Sequence, residues 1–291
     1  MKLINFNKNN IDKAINELVI DKNTNEPIII IHDLNKENTK DETSLKIKIK
    51  ENINASFIEV FINNKEQKKE HNFKREFEVE GNASLEYLKY QDISENTSLN
   101  IDSNITLKQN AKINITNFEL GLGINKNNFN TNLDAENSNL NIFGLVKLYE
   151  KSNSYSIFNT VHNAKNCSSN VSYKHSLHDA SKAIYEAKSI VNEEALYSKV
   201  LQNSNTILLS DDAVIFARPH LEINIDELEA SHGATTGSLD KEQLLYLQAR
   251  GIPLNKAYEM LLKAFENEVY DNIKDLKIKE FVTKFKKSDY V

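Results

Sequence analysis

Glycine, proline and cysteine are all scarce in this chain of 291 residues, which has seven glycines, three prolines, one cysteine and no tryptophan. A single thiol, Cys167, excludes an intramolecular disulfide framework and any paired-cysteine metal motif. No Asn-Gly, Asp-Gly or Gly-Gly pair is present, so the two-residue turns that close tight hairpins are missing and a hairpin meander is disfavoured. No apolar run approaches the length of a membrane helix, and the opening MKLINFNKNN has no apolar core that could serve as a secretory signal. These absences make a reducing cytoplasm the expected compartment. The net charge of −6 comes from interspersed Lys and Glu, which argues against a nucleic-acid surface. Nucleophile elbow, phosphate loop and dinucleotide fingerprint are all missing, so the sequence shows no nucleotide-hydrolysing motif of its own.

What is present is period two. From Ser44 to Asn224 the chain alternates apolar and polar residues, as in LKIKIK (45–50), FEVE (77–80), LNIDSNITL (99–107), AKINITNF (111–118) and SNLNIFGLV (138–146). Several strands are introduced by a polar residue followed by a small one: Asn110 with Ala111, Asn137 with Ser138, Asn166 with Cys167, Asp179 with Ala180, Glu194 with Ala195, Asp212 with Ala213. Corners that recur without intervening helices predict a solenoid, read here as a parallel β-helix. Its two ends would expose unpaired backbone groups; helices could cap one, and a partner could extend a sheet at the other.

The remaining segments are short. Residues 1–44 suggest one helix (Ile11 to Val19), one strand (Pro27 to His32) and a flexible joint from Asn35 to Glu42. The β-helix core is assigned to 45–237 and a helical region to 238–291. Within 219–251, a strand with Leu221, Ile223 and Ile225 leads into a small-residue corner at Ser231, His232 and Gly233. A helix then starts at Asp240, which can cap it, and ends at Gly251. A second helix begins near Pro253, with Ala257, Met260, Leu261, Ala264 and Phe265 at helical spacing, and a last piece covers Ile278 to Lys287.

The segments PHLEI, SHGATTGSLDKEQLLYLQARGI and AYEMLLKAFENEV closely resemble the C-terminal signature of the SufB and SufD family of iron-sulfur cluster assembly. INASFIEVF (53–61), EFEVEGNASLEYLKYQ (76–91), TVHNA (160–164) and NTILLSDDA (205–213) are similar to its β-helix core, so the resemblance covers about residues 45–275. It is most like SufD. Family members of the SufB type carry a Glu after the motif histidine, where this chain has Gly233, and a late scaffold cysteine, where it has about Ala213. The resemblance implies a mainly β, right-handed parallel β-helix followed by helices. It further implies a non-catalytic subunit that pairs with a SufB-like chain through the β-helix edge and docks a SufC-like ATPase through its C-terminal helices. An iron-sulfur cluster would be held transiently and shared with SufB. Alternatives are a SufB-like homodimeric scaffold and a carbohydrate-active parallel β-helix enzyme; neither the missing cysteine nor the lack of a convincing carboxylate set favours them.

His232 is the candidate iron or cluster-interface ligand, since an imidazole suits iron; the plain alternative is that it hydrogen-bonds the SHGAT turn. Cys167 is read as a packed structural thiol, and His162, His175 and His178 are not a ready metal set, because His175 and His178 point to opposite faces of a strand. Asp211 and Asp212 are read as turn formers. For SufC docking the candidates are Leu244, Tyr246, Leu247, Arg250, Ile252, Leu261 and Phe265, against the alternative that Leu244 and Leu247 merely pack on the β-helix end.

Overall fold

The computed structural model describes residues 2–5, 16–35, 43–65 and 68–285. Among the described residues, seventeen strands alternate between two sheets. The nine-stranded sheet stacks β1 (Lys2–Asn5), β3 (Ile28–Asp33), β5 (Asn54–Ile62), β7 (Ser84–Ile93), β9 (Lys112–Gly121), β11 (Asn139–Leu148), β13 (Ser168–Leu177), β15 (Lys199–Leu208) and β17 (Glu229–Gly237) in that order. The eight-stranded sheet stacks β2 (Glu17–Ile20), β4 (Thr43–Ile49), β6 (Lys69–Val79), β8 (Thr97–Leu107), β10 (Ile124–Leu133), β12 (Asn153–His162), β14 (Lys182–Val191) and β16 (Val214–Ile223). Neighbouring strands are parallel throughout, as the missing hairpin turns require. Lys112, Asn139, Ser168, Lys199 and Glu229 share one register column, so each coil of this parallel β-solenoid takes about 30 residues.

A chain with so few glycines turns its corners with asparagine. Asn52, Asn82, Asn110, Asn137 and Asn166 all have positive φ, between 55° and 62°. Asparagine tolerates this left-handed region better than other side chains because its short amide can bond locally. Here the amides bond to one another: Asn110 Nδ2 donates to Asn82 Oδ1 at 2.8 Å, and Asn137 Nδ2 to Asn110 Oδ1 at 2.9 Å. The small residue that follows is buried at each of these corners from Asn82 on, as Ala83, Ala111, Ser138 and Cys167. The polar-then-small pairs thus mark genuine corners, although Glu194 and Asp212 are not left-handed.

Between the sheets, alternate side chains fill the core, among them Phe57, Tyr87, Phe77, Phe129, Phe158 and Tyr173. Gly144 belongs to this packing. A Cβ there would lie 2.2 Å from the ring of Tyr173, its register partner on β13, so the glycine is what admits the tyrosine.

Three helices follow: α1 (Lys241–Ala249), α2 (Leu254–Asp271) and α3 (Leu276–Lys284). Asp240 caps α1, accepting from the Glu242 and Gln243 amides at 2.8 and 3.4 Å, and Gly251 ends the segment at φ 82°. The helices do not cap an end of the solenoid. Instead Val269, Ile273, Ile278 and Val282 cover the outer face of the nine-stranded sheet, against Ile31, Ile58, Val60, Leu88, Phe118 and Leu145. That follows from the sequence of those strands, which are apolar on both faces there: Leu88 and Leu145 point outward yet are buried.

Two expectations need correction. The helix expected over 11–19 is contradicted where it is described, because Glu17–Ile20 is strand β2; residues 11–15, like most of the expected joint at 35–42 and residues 286–287 of the last helix, lie outside the described residues. The corner expected at Ser231 to Gly233 is strand β17; the corner is at 224–228, between β16 and β17.

Replacing Gly144 by Ala forces the Tyr173 ring out of place and should destabilise the chain by about 3 kcal/mol. The midpoint of denaturant unfolding measures this, and an unchanged midpoint would contradict the packing described.

Candidate functional site: the open end and the helical surface

The solenoid stops at β16 and β17, and one edge of each has no neighbouring strand among the described residues. The consequence shows in the register columns. On β15, the inward residues Val200, Gln202, Ser204 and Thr206 are between 0% and 4% exposed. Their partners on β17 are Ala230, His232, Ala234 and Thr236, and all four are exposed. On β14 the inward Ala183, Tyr185, Ala187 and Val191 are likewise buried, whereas Ile223, the partner of Val191 on β16, is 43% exposed. The last rung is thus built like the others and lacks only what would stack on it.

His232 occupies this mouth. It continues the column Ile142, Val171, Gln202, so alternation directs it toward the solenoid axis, and it is exposed only because the stack ends there. Gly233 follows on the outer face, and a Cβ there would meet only the Asn203 side-chain oxygen at 3.5 Å. Ala213, in the slot compared with a scaffold cysteine, is a buried corner residue. Among the described residues no three His, Cys, Asp or Glu side chains gather in a way that could hold a metal ion.

Cys167 is buried in the corner stack, accepting from Ser138 Oγ at 3.2 Å and donating to the Ala135 carbonyl at 3.3 Å. The three histidines weighed beside Cys167 are apart. His162 bonds Ser169 at 2.8 Å, His175 faces Thr206 at 3.4 Å, and His178 stacks on Tyr149 with ring centroids 4.4 Å apart.

Sequence reasoning did not foresee how polar the interior is. Glu59 accepts from Arg75 Nη2 at 2.6 Å and from Tyr87 at 2.7 Å, with His32 Nε2 2.7 Å away. Burial alone would raise the Glu59 carboxyl, but the Arg75 guanidinium and the His32 hydrogen bond override it and hold it well below the usual carboxylate range. Further along, Lys89 bonds Asn127, and Glu119 accepts from Asn117, Ser154 and Ser156. Burial, opposed by the Glu119 and Glu59 charges, brings the Lys89 ammonium down to about 7. Burial alone takes His162 down to about 4, and burial against one backbone hydrogen bond does the same for His175. These groups lie at inward positions of alternating strands, which a period-two pattern reveals only as residues of the wrong polarity.

The second surface is helical. Tyr246 and Arg250 are exposed, with the guanidinium 5.1 Å from the ring centroid; Leu244, Leu247, Ile252, Leu261 and Phe265 are half-buried. Leu245 and Leu254, which the helical spacing did not single out, and Met260, which it did, are 50–64% exposed. No residue of α1 is buried, so the structure does not favour the alternative that Leu244 and Leu247 pack on an end of the solenoid. Phe265 instead receives the Lys174 ammonium at 4.2 Å from its centroid. The helix α2 is tied to the sheet by Glu266, 3.0 Å from Lys147 and accepting from Ser176 at 2.9 Å, and by Glu268, 2.6 Å from Lys174. No helix among the described residues is long and apolar enough to cross a membrane.

The chain is thus a parallel solenoid with an open last rung and a trailing helical arm, and the comparisons with known proteins name its family. Residues 32–265 match the SufBD core domain of SUF-system iron-sulfur cluster assembly, and the chain belongs to that family. It is SufD-like. It is 28% identical over 204 residues to the iron-sulfur cluster assembly protein SufD of Escherichia coli K12, covering 70% of this chain and 48% of that protein. SufD of Plasmodium falciparum is 28% identical over 199 residues, 64% of this chain and 14% of that protein. A SufBD family protein of Mycobacterium tuberculosis H37Rv is 30% identical over 130 residues, 42% of this chain and 33% of that protein. The chain spans about half the length, or less, of these relatives.

Because His162 and His175 are held neutral when folded, the unfolded chain takes up protons below about pH 6.5 that the folded chain refuses until about pH 4. Stability should therefore fall as the pH drops from 6.5, by about 1 kcal/mol per histidine for each pH unit. Thermal midpoints at pH 7 and pH 5 measure this. His175→Gln should flatten the slope, and an equal midpoint at both pH values in the wild type would contradict the account.

Proposed function

We propose that this chain is a SufD-like, non-catalytic subunit of an iron-sulfur cluster assembly complex. Its open end stacks on the solenoid of a SufB-like partner, and its helical arm docks a SufC-like ATPase. The observation that carries this reading is the last rung: inward side chains that are buried on β14 and β15 give way to exposed ones on β17 and to half-buried ones on β16, where Ile223 is exposed. An uncovered sheet edge invites pairing, and a second parallel solenoid is the shape that continues both sheets at once.

In that arrangement His232 lies at the junction, where the partner buries it and where it offers an imidazole to a cluster held mainly by the partner's thiolate. The cluster is cargo; this chain supplies one wall of the chamber. Without a phosphate loop of its own, the chain depends on the ATPase for energy. The exposed Leu245, Tyr246, Leu254 and Met260 give that ATPase an apolar patch with Arg250 at its margin. Closure of two ATPase subunits would pull on α1 and α2, and the Glu266 and Glu268 contacts pass the force to β11 and β13. Cytoplasmic residence fits this role, and pairing of two copies through the same open end is the state expected when the partner is missing.

Two measurements test the reading. Co-expression with SufB-like and SufC-like chains should yield one complex. In it, His232→Ala should lower the iron and acid-labile sulfide bound by at least half, and full loading of that variant would remove the histidine from the site. Tyr246→Asp with Leu245→Asp should weaken ATPase binding about tenfold or more without loss of helical content, since α1 buries nothing; unaltered binding would move the docking surface elsewhere.

A further inference from the structure

Six successive corners on one side of the solenoid use a left-handed residue, and five of them use asparagine. The sixth is Tyr197, at φ 63°. A bulky side chain in this region is strained where asparagine is tolerated, and Tyr197 gains no burial in return, since it is 61% exposed. Strain kept at an exposed aromatic points to contact with something outside the chain.

Position says what that is. Each corner donates its backbone N–H to the next: Asn137 to Lys165, Asn166 to Leu196, and Tyr197 to the Glu227 carbonyl at 2.7 Å. The corner of Glu227 is the last, so Tyr197 stands one corner from the open end. Stacked strands are about 4.8 Å apart, and a tyrosine side chain extends about 6.5 Å, enough to cross that final corner; an asparagine is too short. Four residues on, Leu201 is 41% exposed and lines a shallow cleft with Leu228 and Ser231 that runs to the last rung.

We propose that Tyr197 is an anchor residue for the β-solenoid partner that stacks on β16 and β17, carrying the contact from the open end onto the corner and the cleft at Leu201. This rests on the reading that such a partner covers the open end. Tyrosine suits the role, offering a large rigid contact area with a polar tip.

The test uses the full chain and a purified SufB-like partner. Tyr197→Asn restores the residue of the other five corners, so it should raise the thermal midpoint of the isolated chain by about 2 °C. The same variant should weaken binding to the partner about tenfold or more by titration calorimetry. Tyr197→Phe keeps the ring and the strain and should bind within about threefold of wild type. A stabilised Asn variant that binds the partner as tightly as wild type overturns the proposal, as does a Phe variant that loses as much affinity as Asn. So does an Asn variant that impairs only self-association of this chain. If wild type itself fails to bind the SufB-like partner, the parent reading falls, which is a separate result from a wild type that binds and a variant that binds equally.

Discussion

Parallel stacking imposes one constraint on which everything else depends: every rung is completed by the next. Backbone groups of an interior strand are satisfied by the strands on its two sides, and inward side chains are covered by the coils before and after. The same repetition aligns the corner asparagines into a ladder, seats Tyr173 over Gly144, and lets polar side chains of neighbouring coils bond across the interior. It also leaves the last rung uncovered by any further strand among the described residues. The open end at β16 and β17 is a direct result of the architecture, and in the proposed reading a partner solenoid covers it.

The two proposed docking surfaces are joined by a mechanical path. The helical arm is fixed along the outer face of the nine-stranded sheet by an apolar seam and by charged contacts at Glu266 and Glu268. Its α1 end remains uncovered, and the sheet that the arm grips is the one that carries His232 on its last strand. A rigid solenoid between them suits a subunit whose proposed task is to pass motion from an ATPase to a cluster chamber.

Much of this fold was legible in the sequence. The period-two stretches gave the strands, the polar-then-small pairs located corners, and Asp240 and Gly251 bracketed α1. The identity of corner residues mattered more than glycine content, because asparagine supplied the left-handed turns that a glycine count would have missed. Three features were hidden for physical reasons. The segment SHGATTG is small and polar enough to read as a turn, yet parallel pairing with β15 makes it a strand. The buried Glu59, Arg75 and Lys89 were invisible because strand alternation says which side a residue faces, not which partner makes its charge tolerable there. The docking of the helices along the sheet rather than over its end depended on strands apolar on both faces, such as β5 and β7, whose second apolar face looks like a broken alternation. His232 was singled out through its resemblance to a family motif; its position at the mouth of the solenoid required the register.

The central claim is that the last rung is completed by a partner solenoid. Backbone amide hydrogen exchange on β16 and β17, measured for the isolated chain and again with a SufB-like partner bound, tests it most directly. The account predicts fast exchange along the free edges of both strands in isolation and strong protection in the complex, while the amides of β9 to β13 stay slow in both. Protection that leaves β16 and β17 unchanged on complex formation would contradict it.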